Sequence, residues 1–65
     1  MSSYKVRVGI EIIEKQAFEA NEYIRKIQLP ATCHTIGNDA FMNCTSLEHI
    51  QLPDTITYIG HYAFF

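Results

Sequence analysis

Residues 27–42, IQLPATCHTIGNDAFM, return as residues 50–65, IQLPDTITYIGHYAFF, 23 positions later. Nine of these sixteen pairs are identical, namely Ile, Gln, Leu, Pro, Thr, Ile, Gly, Ala and Phe. Chance pairing would give about one, so the period is a property of the fold. A further shift of 23 lays Tyr4 on Ile27, Val6 on Leu29, Ile10 on Cys33, Ile13 on Ile36, Phe18 on Phe41 and Ile24 on Leu47. Only three of those 23 pairs are identical, yet the apolar positions stay apolar. The unit is I-x-L-P-x-x-I-x-x-I-G-x-x-A-F-x-x-C-x-x-L-x-x, present about 2.8 times.

A period this short cannot enclose a core of its own, so successive units must stack and share one. I-x-L alternates with period two, as expected of a short strand with one face buried. Strands are expected near 4–7, 25–29 and 48–52, with Tyr4, Val6, Ile27, Leu29, Ile50 and Leu52 directed inward. Pro30 and Pro53 lack an amide donor and should end their strands. Gly37 and Gly60 read as positive-φ turns. The A-F segments read as short turns, each one helical turn at most. Phe18, Phe41 and Phe64 would plug the core there, with Asn38 as a helix N-cap. The fold class is therefore a mainly β repeat solenoid: a right-handed leucine-rich-repeat coil with parallel strands and short turn, 3-10 or α segments. At 65 residues it is a single domain. Residues 1–23 read as an N-terminal cap or degenerate repeat, 24–46 as a repeat and 47–65 as an incomplete one.

This pattern resembles the BspA-like class of leucine-rich repeats. IQLP, TIG, DAF and NCTSL carry the resemblance in the middle unit, and IQLP, YIG and YAF in the last. The first unit departs from it, with Arg7 for Pro, Glu14 for Gly and Asn21 for Cys. The resemblance implies a non-catalytic protein-interaction module of the cell-surface or secreted, adhesion-related kind. The opening MSSYKVRVGI itself has neither the apolar core nor the cleavage site of a signal peptide.

The chemistry-bearing residues point away from catalysis. Cys33 stands in the column of Ile10 and Ile56, and reads as a small core hydrophobe. Cys44 stands at the repeat's own cysteine position. The ten residues between them fit no common zinc spacing. His34, His49 and His61 fall in three different columns, so stacking does not gather them. No His-Glu-x-x-His, paired cysteine or glycine-rich phosphate motif occurs. No enzyme activity, cofactor or metal is expected, and a Cys/His metal site is only a distant alternative. A formal charge of −2 offers nothing to nucleic acid. No apolar run approaches a membrane span.

Two surfaces are candidates for binding. Outward strand positions Ser3, Lys5, Lys26, Gln28, His49 and Gln51 should line the concave ribbon, and most carboxylates fall on the opposite side. A protein partner of unnamed identity is expected there. The other surface is the last unit, whose Tyr62, Phe64 and Phe65 would remain uncovered. They are expected to mediate homo-oligomerisation. A self-assembling structural unit is thus the alternative function.

Overall fold

The computed structural model describes residues 3–65. Met1 and Ser2, the first two residues of the expected cap, lie outside the described residues. Six short strands follow in chain order: β1 (Ser3–Lys5), β2 (Ile12–Ile13), β3 (Lys26–Gln28), β4 (Thr35–Ile36), β5 (His49–Gln51) and β6 (Tyr58–Ile59). They form two parallel three-stranded sheets, ordered β1-β3-β5 and β2-β4-β6. Every pairing is offset by the sequence period. Tyr4 lies beside Ile27 and Ile27 beside Ile50. Ile13 likewise lies beside Ile36, and Ile36 beside Ile59. The chain thus passes each place three times, and like residues stack.

The strands expected from I-x-L are present but shorter. The second sheet leaves no signal in the alternation of the sequence. Its strands end at the Ile-Gly step (Ile-Glu in the first pass) and are only two residues long, too short for alternation to register.

The expected 3-10 or α segments are absent among the described residues. Single turns follow one another instead. The Ala40 amide donates to the Gly37 carbonyl, Met42 to Asp39, and Cys44 to Phe41. Ala17, Glu19 and Asn21 do the same one pass earlier. The third residue of alternate turns is left-handed, at φ of 60–62° for Gln16, Ala20, Asp39 and Asn43 and 58° for Tyr62. Left-handed residues four positions apart, as at 16 and 20 and at 39 and 43, prevent a helix from propagating. They also turn the intervening amides toward the next pass. Phe18 donates to the Ala40 carbonyl at 2.8 Å, and Phe41 to Ala63 at 2.7 Å.

Two kinds of residue depart from what their neighbours in the chain suggest. Gly37 and Gly60 are not in the positive-φ region, where Gly9 is the one glycine. Glycine is needed at 37 because the passes touch backbone to backbone. A Cβ on Gly37 would lie 2.7 Å from the Lys15 nitrogen and 2.9 Å from the Ile13 carbonyl oxygen. Asn38 is not an N-cap, since no helix begins there. Its Oδ1 accepts the His61 amide of the following pass at 2.8 Å.

The core lies between the sheets and the turns. Ile27, Cys33, Ile36 and Ala40 are fully buried, with Val6, Ile13, Ile24, Leu29, Phe41 and Ala63 nearly so. Phe18, Phe41 and Phe64 stack face to face, their centroids 5.3 Å apart and their planes within 3° and 5°. Tyr4 meets Phe18 edge-on at 5.6 Å. Burial is complete only in the middle pass. Tyr4, Leu52, Ile59 and Phe64 occupy inward columns yet remain 41–49% exposed, having no neighbour on one side.

Candidate interaction surfaces

The first surface follows from strand geometry. Alternate side chains point to opposite faces, so with Tyr4, Ile27 and Ile50 directed at the core their flanking residues face out. Register places Ser3 beside Lys26 and Lys26 beside His49. It also places Lys5 beside Gln28 and Gln28 beside Gln51. Two polar columns therefore run across β1, β3 and β5, one residue apart on either side of the buried column. Gln28 is half-buried and the other five are exposed. Lys5, Lys26, Gln28, His49 and Gln51 are brought together on one face. Arg25 borders them, its Nη2 2.9 Å from Glu48 Oε2 across the passes.

The other titratable groups are dispersed. His34 lies beside Glu11, with Nε2 3.7 Å from Oε1, and its Nδ1 is 2.8 Å from Thr35 Oγ1. His49 belongs to the ribbon, and His61 to the turn after β6. Among the described residues no three His, Cys, Asp or Glu side chains cluster as a metal site would require. The two thiols are free and face different carbonyls. Cys33 Sγ lies 3.7 Å from the Thr35 oxygen, and Cys44 Sγ donates to the Phe18 oxygen at 3.1 Å. Desolvation pushes the Cys44 thiol above its ordinary range, opposed more weakly by the Asn21 backbone. Asn21 itself holds the equivalent position one pass earlier. Its Oδ1 accepts the Tyr23 and Ile24 amides, so the amide side chain closes the first pass as a local turn.

The second surface is the end of the stack beyond β5 and β6. A hollow of about 370 Å³ opens there, lined by Phe41, Cys44, Leu47, Ile50, Phe64 and Phe65 among others. Phe65 is 76% exposed and Tyr62 60%, and the two rings meet edge-on at 5.0 Å. Leu52, Tyr58, Ile59 and Phe64 extend the apolar area. The opposite end has a hollow of equal volume, lined by Tyr4, Val6, Ile10, Ile13, Ala17 and Phe18 among others. No helix among the described residues is long and apolar enough to cross a membrane.

Parallel strands offset by one repeat, the shared core and the exposed strand face together define a leucine-rich-repeat chain. The family model for the BspA type leucine rich repeat region (6 copies) matches residues 1–65. The chain belongs to that family. No curated protein and no solved structure gives a significant match. Membership suggests a protein-interaction repeat module of a generally non-catalytic family.

Proposed function

We propose that the protein is a non-catalytic binding module, a right-handed solenoid of about 2.8 repeats whose β1-β3-β5 ribbon engages an acidic protein surface. The carrying observation is the alignment of Lys5, Lys26, Gln28, His49 and Gln51 in two adjacent outward columns. Lys5 and Lys26 bring positive charge, and His49 and the glutamines offer both donors and acceptors. Specific interfaces use about 20–30 residues a side. The ribbon presents far fewer, so this reading includes either further repeats in a longer array or association of chains. The adhesion role implied by the family resemblance fits such a surface.

The test is a comparative binding measurement on surface extracts of candidate partner cells. A Lys5→Glu, Lys26→Glu, His49→Glu variant with unchanged circular dichroism should bind at least tenfold less. Binding that survived the triple reversal would refute the ribbon as the contact. A second reading, self-assembly through the last pass, is favoured by the exposed apolar cluster of Tyr62, Phe64 and Phe65. Phe65→Ser, which alters the most exposed of these three, should weaken association without unfolding the chain.

A further inference from the structure

Within the chain, each pass from the second onward carries glycine where it touches the pass before it. Gly37 lies against Glu14 and Lys15, and Gly60 against Gly37 and Asn38. A Cβ on Gly60 would fall 2.6 Å from the Asn38 nitrogen and 2.8 Å from the Gly37 carbonyl carbon. The same column in the first pass holds Glu14, because Ile13 pairs with Ile36 and Ile36 with Ile59. Among the described residues Glu14 has no earlier pass to collide with. If a second copy were laid onto the last pass in the same geometry, its Glu14 would take the place of a glycine. Its Cβ would then overlap the backbone of Gly60 and His61.

We propose that a second copy of this chain docks on the end face beyond β5 and β6 with the same face of its own, Glu14 barring head-to-tail stacking. This rests on the self-assembly reading above and specifies its geometry.

Charge does not choose between the arrangements. The first pass carries Lys5, Arg7 and Lys15 but also Glu11, Glu14, Glu19 and Glu22, and the last carries Glu48 and Asp54. Exposed ion pairs contribute about 0–1 kcal/mol each and are screened by salt. An overlap between Cβ and backbone cannot be relieved by a side-chain rotation. Lifting the incoming copy to clear it would break the bond equivalent to Gly60 amide to Ile36 carbonyl, 2.8 Å within the chain. Sterics therefore decide the polarity.

The face is large enough for a modest dimer. The molecule measures 25 × 24 × 15 Å. With the stacking direction as the short axis, each face covers about 600 Å², so a face-to-face pair buries about 1,200 Å², the lower end of specific interfaces. β5 and β6 are both sheet edges. Two copies of one edge related by a two-fold axis pair antiparallel, which closes the assembly at two chains.

Sedimentation equilibrium from 10 µM to 1 mM, with amide hydrogen exchange followed by NMR, tests this arrangement. The expected result is a monomer–dimer equilibrium. Protection should rise with concentration at Leu52, Tyr62 and Phe64, whose amides have no partner within the described residues, and not at Glu11 or Glu14. Tyr58→Lys, at an exposed edge position, should shift the equilibrium at least tenfold toward monomer. Glu14→Gly should convert the closed dimer into open-ended, concentration-dependent growth. Protection at both ends of the parent, or parent species beyond the dimer, would overturn the face-to-face geometry while leaving self-assembly intact. A Glu14→Gly variant that stopped at the dimer would overturn the role given to Glu14. A parent monomeric at 1 mM would refute self-assembly, and this geometry with it.

Discussion

Replacing Phe41 by alanine should be the most damaging truncation in the chain. Its ring is 2% exposed, and it is the one phenylalanine stacked on both faces, against Phe18 and Phe64 at 5.3 Å each. An aromatic side chain buries about 150–250 Å², which at about 25 cal/mol per Å² corresponds to about 4–6 kcal/mol. The alanine Cβ retains part of that, and measured core truncations of phenylalanine cost about 3–5 kcal/mol. A chain of this length has a total stability of about 3–10 kcal/mol. Phe41→Ala should therefore leave the protein barely folded. A loss of 3 kcal/mol corresponds to a fall in Tm of about 12–24 °C for so small a domain. Phe18, half-buried, and Phe64, 43% exposed, have less to lose, so the order of cost should be Phe41, then Phe18, then Phe64. Thermal and urea melts by far-UV circular dichroism measure all three. A Phe41→Ala melt within about 2 °C of the parent, or a reversed order, would refute the ring stack as the centre of the core.

Gly37→Ala should cost about 3 kcal/mol or more, because its Cβ would meet backbone at 2.7 Å rather than a side chain that can rotate away; a urea melt unchanged from the parent would contradict the close approach. Ala20→Gly should raise stability by about 0.5–1 kcal/mol, since alanine at φ 62° carries a left-handed penalty that glycine lacks; a lowered Tm would count against that. After unfolding without reductant, two thiols should react with a thiol reagent. In the folded protein Cys44, half-buried, should react before the fully buried Cys33. The raised Cys44 pKa also fixes a sign: its contribution to stability is complete below the ordinary thiol range and is lost as pH rises through the folded pKa. Titration of the urea midpoint with pH reads this, and a midpoint that climbed through the same range would reverse the assignment.

How much of this was legible beforehand depends on which distances along the chain carried the information. The period of 23 determined the parallel register, the inward column Tyr4-Ile27-Ile50, the outward polar columns beside it and the stack of Phe18, Phe41 and Phe64, because each follows from placing like residues side by side. Local rules misread other residues. Gly37 resembles a turn glycine by its neighbours, and Asn38 resembles a helix cap. Both are in fact set by the adjacent pass: one by the closeness of Lys15, the other by the amide of His61. The left-handed residues fall at Gln16, Ala20 and Tyr62 as well as at Asp39 and Asn43, and for the first three no intrinsic preference announces them. Hydrogen bonds between passes impose that conformation, as when the Phe41 amide turns outward to reach the Ala63 carbonyl. The sequence by itself determined which residues share a column. Tertiary structure alone decided the backbone angle each adopts and the side left uncovered, because both depend on atoms 22 to 24 residues away that meet only once the chain has coiled.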